Sequence, residues 1–238
     1  MSKKIILFEL NEVPYRVLDD FCARHPQSTF SKILSSCDQF ETISEDVGNL
    51  SPWITWPSLH RGVKNTLHNI GDFGEDLQNI DKKFPPIWSI LSSHDIKVGI
   101  FGSLHTYPLP KEIDKYSFYV PDSFARNSEC IPHYLHVFQE FLLKMSRASA
   151  RNVKRKIEYL LLFNLIINIK KVGIRQITII KCLLQILSEF IDSGKIIRRR
   201  TFASILSFDV FMKQLVEKKP QFVTFFTNHV ASSMHRYW

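Results

Sequence analysis

Glycine is scarce, with 8 residues among 238, while 13% of the side chains are aromatic. That pairing excludes collagen-like, coiled-coil and disordered chains, whose compositions run the other way. The four cysteines, Cys22, Cys37, Cys130 and Cys182, lie far apart with no CxxC pair. Neither a cysteine zinc site nor a redox couple is written in that spacing, and free thiols in a reducing cytoplasm are the expectation. Long apolar runs are also missing. The longest, Tyr159 to Ile169, is interrupted by Asn164 and Asn168 and has about half of the roughly 20 residues a membrane span needs. The N-terminal apolar run breaks at Glu9, too early for the core of a secretory leader. Acidic residues are in deficit: 23 Asp plus Glu against 31 Lys plus Arg, a net charge of +8. Such an excess suits an anionic substrate, nucleic acid or an acidic membrane surface, and does not choose among them.

What is present is an ordinary globular composition, 45% hydrophobic and 23% charged, enough to bury a core. Residues 4–10 (KIILFEL) predict a short buried strand. The polar turn Asn11-Glu12-Val13-Pro14 follows, then a helix to about Cys22. Residues 47–62 read as a loop rich in Pro, Gly and Trp. A helix over 86–94 leads into a second strand at 96–101, and Gln221 to Phe226 form a third after Pro220. This alternation predicts an α/β fold, a mostly parallel sheet between helices. Sites in such sheets lie beyond the carboxyl ends of the strands. Each strand here is followed at once by polar residues: Asn11 and Glu12, then Ser103 and His105, then Asn228 and His229.

From 133 to 219 the composition changes: Leu and Ile are dense, Gly is nearly absent, and Lys and Arg recur, as in KRKIEYLLLF from Lys154 onward. Three or four helices with basic outer faces are expected, inserted as a cap. The chain thus divides into 1–132 and 220–238, which build the α/β core, and 133–219, the basic helical insertion. Its cations read either as a solvated face or, through Arg198, Arg199 and Arg200, as a contact with a membrane surface or polyanion. Nucleic acid is not expected, because no aromatics interleave with that basic run.

The segment Trp53-Ile54-Thr55-Trp56-Pro57-Ser58 holds a hydroxyl between two prolines and beside two indoles. A threonine is a weak nucleophile until a metal ion or a neighbouring base stabilises its alkoxide; the plain alternative is a loop anchored by tryptophans. Together with three other segments, this one resembles the alkaline phosphatase superfamily, in its type I phosphodiesterase/nucleotide pyrophosphatase branch. Thr55-Trp56-Pro57-Ser58 resembles the family's T-x-P-[STN] nucleophile motif at the start of a helix, with Gly62 and His68 placed as in the segment that follows it. KIILFELNEVP is similar to the first strand, with Asn11 where a ligand Asp belongs. KVGIFGSLHTYPLP and YSFYVPDSF resemble the segment after the nucleophile helix. NHVASSMHRYW is similar to the D-x-x-x-H-x-x-W motif at His235 and Trp238, with Ala231 in the place of the Asp.

The resemblance implies an alkaline-phosphatase-like core and a metal-dependent hydrolase or transferase acting on phosphate or sulfate esters. Thr55 would be nucleophile and metal ligand, with Asn11 and His235 as further ligands and zinc as the expected divalent ion. Asn11, Trp56 and His60 would contact substrate. Glu9, Glu12 and His229 are the candidates to replace the missing carboxylates; His60, His68, His94 and His105 otherwise read as capping or surface residues. The family's later Asp-His pair and last His have no counterpart in this sequence. Two readings follow: the front part of a longer enzyme, or a non-catalytic relative that binds an anionic partner or an anionic membrane surface. Oligomeric state is not written in the sequence.

Overall fold

The computed structural model describes residues 4–72, 74–150 and 159–237. Trp238 and the basic stretch 154–158 lie outside the described residues. Four strands form one all-parallel sheet: β1 (Ile5–Leu10), β2 (Val98–Phe101), β3 (Tyr116–Val120) and β4 (Phe222–Thr227), in the order β1-β4-β2-β3. Parallel neighbours need crossover connections, and the helices supply them. Between β1 and β2 run α1 (Tyr15–Arg24), α2 (Thr29–Ser36), α3 (Pro52–Arg61), α4 (Asn65–His68), α5 (Gln78–Lys83) and α6 (Ile87–Ser93). Between β3 and β4 run α7 (His136–Ala150), α8 (Tyr159–Ile167), α9 (Ile169–Val172), α10 (Gln176–Ile191) and α11 (Arg199–Lys218); α12 (His229–Tyr237) follows β4. The α/β expectation holds at this level. The sequence reading passed over β3, which lies on the sheet edge beside β2 and precedes the helical insertion.

Alternate strand residues feed two core clusters, one on each face of the sheet. Val98, Ile100, Tyr116, Tyr119 and Phe222 pack with Trp88 of α6. Phe101, Phe118, Val223 and Phe225 pack with Phe138, Val172, Val210 and Phe211. The inserted helices therefore cover one face of the sheet. Phe225 is the hub of this face, with ring centroids 4.8 Å from Phe211 and 5.6 Å from both Phe101 and Phe208. In β2, Gly99 leaves room for the Phe118 ring: a Cβ there would lie 2.5 Å from two of its ring carbons. Gly99→Ala is expected to cost about 1–3 kcal/mol by overpacking, read as a lower urea midpoint with an unchanged slope. An unshifted midpoint would show that the ring moves aside freely.

The segment read as a Pro- and Gly-rich loop is largely the helix α3. Pro52 occupies its first turn, where a missing N–H costs nothing, and Gly62 closes it in the left-handed conformation at φ 65°. Pro57 lies inside the helix and cannot donate to the carbonyl of Trp53. That carbonyl is taken instead by His105 Nε2 at 2.9 Å, from the loop after β2. A side chain thus replaces the lost helix bond and ties two segments of the site region together.

Candidate functional site

The polar residues after the strands converge at the carboxyl edge of the sheet. Asn11, at the end of β1, is the centre. Its Oδ1 accepts from the Trp56 indole N–H at 2.8 Å, and its Nδ2 donates to Asn228 Oδ1 at 2.8 Å. One residue on, Glu12 adopts a positive φ of 51°, and its carboxylate meets the His235 imidazole of α12. Three segments far apart in sequence are thereby joined: the end of β1, helix α3 and the turn into α12.

Beside this bridge opens a cleft of about 680 Å³, walled by Asn11, Glu12, Trp53, Arg200, Asn228 and His235 among others. Pro52 and Trp53 bring to it the first turn of α3, and Asn228 and Ala231 that of α12. Helix N-termini present backbone N–H groups and a partial positive charge, so both favour an anion. Arg200, near the start of α11, also lines an adjoining space of about 250 Å³. One of its terminal nitrogens donates to the Ser232 carbonyl at 2.9 Å.

The remaining expected site residues sit elsewhere. Glu9 and His60 are buried behind β1, with His60 Nε2 2.6 Å from Glu9 Oε1 and Ser103 Oγ donating to Glu9 Oε2 at 2.6 Å. Neither of them lines the cleft. Thr55 Oγ1 donates to the Ser51 carbonyl one turn back at 3.2 Å, and Thr55 is not part of the cleft wall. His229 turns its Nδ1 to Thr227 Oγ1 at 2.8 Å, which in turn meets Ser204; burial pulls its pKa down and so favours the neutral ring. Arg199 pairs with Glu189 and Arg200 enters the cleft, leaving only Arg198 of the three exposed as the surface reading required. His94 is an exposed helix-end residue, as expected, whereas His60 and His68 are buried.

The donor set does not fit the expected zinc site. Zinc wants three or four imidazole, thiolate or carboxylate donors about one point. Among the described residues no group of three or more His, Cys, Asp and Glu offers this. Asn11 spends its amide oxygen on Trp56, Ala231 brings no donor, and Glu12 with His235 makes only two.

A second polar cluster imitates a catalytic triad without its polarity. Ser58 Oγ lies 2.8 Å from both His68 Nε2 and Asp46 Oδ1. Ile70 N–H donates to His68 Nδ1 at 3.0 Å, so the proton of the neutral ring is on Nε2 and points at Ser58. A base that already carries its proton there cannot accept the serine's. Burial, then the charge of Arg61, lowers the His68 pKa and holds this state. The cluster anchors α3 to α4: Asp46 Oδ1 also accepts from Asn65 N–H at 2.7 Å.

No family model matches this chain, and neither a curated protein nor a solved structure does. Sequence reasoning picked out Asn11, Glu12, Trp56 and His235 of the bridge and marked Asn228 as a polar residue closing a strand. It missed the place of Arg200 in the cleft, since nothing in a run of three arginines says which one turns inward.

Proposed function

We propose that the cleft recognises a phosphate or sulfate ester, in an α/β core of the alkaline phosphatase type. The observation that carries this reading is the hydrogen-bonded bridge Trp56–Asn11–Asn228. It unites segments that the resemblance selected separately, and it does so beside a cleft holding a guanidinium and the first turns of two helices. Asn11 and Asn228 shape the floor, and Arg200 supplies the cation that an ester oxyanion would meet. Its planar fork suits phosphate and sulfate oxygens better than an ammonium does.

Hydrolysis or transfer through Thr55 belongs to the same reading. A divalent ion would supply the alkoxide, but the donors present do not build its site, and no step is derived through it. The non-catalytic alternative, a module that holds an anionic partner at the same cleft, draws support from the engaged amide of Asn11 and from Ala231.

Phenyl phosphate and phenyl sulfate, titrated calorimetrically, are the probes. Both are expected to bind, and Arg200→Ala should weaken them by roughly 10- to 100-fold, the worth of one hydrogen bond to a charged group. Arg200→Lys should fall between. Absence of binding, or binding that Arg200→Ala leaves unchanged, would sink the assignment. Where phosphate release is detected, Thr55→Ala decides the nucleophile: retained turnover removes Thr55 from the chemistry.

A further inference from the structure

Helix α10 is amphipathic the wrong way round. Its most buried residues are polar: Thr178, Gln185 and Glu189 are all nearly sealed from solvent, with Ile179 and Cys182 partly buried against the core beside them. Gln185 Nε2 is satisfied by Glu189 and by the Lys195 carbonyl, and Glu189 by the Arg199 guanidinium. Its outer face is apolar. Ile177, Ile180, Leu184, Leu187 and Ile191 recur at spacings of three and four and are each more than half exposed, with Phe190 at 85% beside them. Such spacing places them on one side of the helix. Helix α8 repeats the feature in shorter form with Leu160, Phe163 and Ile167. A stripe of this extent marks a surface that meets something other than water.

Charge says what that is. From Tyr159 to Arg200 the sequence holds eight Lys and Arg (Lys170, Lys171, Arg175, Lys181, Lys195 and Arg198 to Arg200) against two acids. Of the acids, Glu189 is buried on Arg199, and Asp192 alone is exposed. Exposed Lys170, Lys171, Lys181 and Arg198 lie on or beside the two ends of α10 and along its edge, while the exposed Arg175 is paired with the buried carboxylate of Asp209. A second copy of the chain would bring like charge against like. Apolar residues framed by cations suit instead the boundary between the headgroups and acyl chains of an acidic bilayer. No helix among the described residues is long and apolar enough to cross a membrane, so the helix would lie in the interface. We propose that α10 docks the protein on an anionic lipid surface by inserting the Ile177–Ile191 stripe. This does not depend on the ester reading of the cleft.

The test is sedimentation of the full chain with vesicles of phosphatidylcholine plus phosphatidylglycerol, and with vesicles of phosphatidylcholine alone. Binding is expected to the first and not the second, and to weaken as salt is added. Leu184→Glu combined with Leu187→Glu removes two insertions at exposed positions, and should reduce the partition coefficient by roughly 100-fold or more while circular dichroism stays unchanged. Lys181→Glu should weaken binding without abolishing it. Failure to bind acidic vesicles, or binding that survives the double glutamate variant, would overturn the proposal. So would a dimer in solution that the same variant dissolves, because the stripe would then be an interface between copies. A variant whose dichroism collapses would overturn it as well, since the stripe would then be part of the core.

Discussion

Replacing Glu9 with alanine is expected to destabilise the protein by about 3–5 kcal/mol, the cost of breaking a buried ionisable pair by removing one partner. The Glu9 and His60 side chains are both fully inaccessible. One carboxylate oxygen takes His60 Nε2 at 2.6 Å and the other takes the Ser103 hydroxyl, which also contacts Thr224 Oγ1 at 2.7 Å. A single side chain therefore links β1, α3, the end of β2 and β4. Alanine would leave the His60 imidazole without a partner, and the Ser103 hydroxyl with Thr224 alone, in a space that Trp88 and Trp56 seal; the His60 ring centroid lies 4.7 Å from that of Trp88. Among the described residues His60 Nδ1 already has no partner, so the ring has no second bond to fall back on there.

Two further variants separate the pair from its surroundings. Glu9→Gln keeps acceptor capacity for Ser103 and should lose less, about 1–3 kcal/mol. Glu9→Leu with His60→Phe removes both polar partners, and should recover much of the alanine loss, since apolar replacement of a whole buried pair is often close to neutral. Urea unfolding reads all three. An alanine variant within about 1 kcal/mol of wild type, below the usual range for a buried unsatisfied group, would mean that water reaches this network and that it does not hold the sheet to α3.

The same residue explains part of what the sequence concealed. In KIILFEL the apolar side chains suggest a strand buried throughout, yet β1 lies on the sheet edge and exposes Ile5, Ile6 and Phe8 while burying Glu9. The apolar run told that a strand was there but not which face turned inward, because that face buries Glu9 beside Leu7 while Ile6 and Phe8 stay half exposed. Helix α10 misleads in the same way, with glutamine and glutamate inside and isoleucine outside. The strands β2 and β4 were legible because both are buried runs ended by polar residues. β3 was not: YSFYV is five residues long and carries no periodicity of its own. Helix α3 was masked by Pro52, Pro57 and Gly62, residues that punctuate loops but here serve as start, interior exception and cap. Four of the bridge residues were legible because they follow strands or sit in recognised segments. The partner of each was not, since the contacts Asn11–Asn228 and Glu12–His235 span nearly the whole chain.

Acid should weaken the fold through His105 by about 3 kcal/mol as pH falls to 4. Its pKa is lowered to about 4, chiefly by burial, with the charges of Arg61 and His60 adding to the effect and the Trp53 carbonyl bond opposing it. In the unfolded chain a histidine titrates near 6.5, and each unit of difference is worth about 1.4 kcal/mol. The folded state thus prefers the neutral ring. Its contribution is present above about pH 6.5 and is lost as pH falls towards 4, because the unfolded state takes up the proton first. Nε2 donates to the Trp53 carbonyl in either protonation state, so the loss is the cost of burying a charged ring beside the first turn of α3 and the wall of the cleft. His229 and His68, also lowered by burial, push in the same direction; Asp122 and Asp81, raised by burial, push in the other. Comparison with one variant isolates His105. Asparagine tolerates its positive φ of 60° and does not titrate. Urea midpoints of wild type and His105→Asn should differ at neutral pH and draw together as pH falls to 4. Parallel pH profiles for the two proteins would place the acid sensitivity elsewhere and remove His105 from the account.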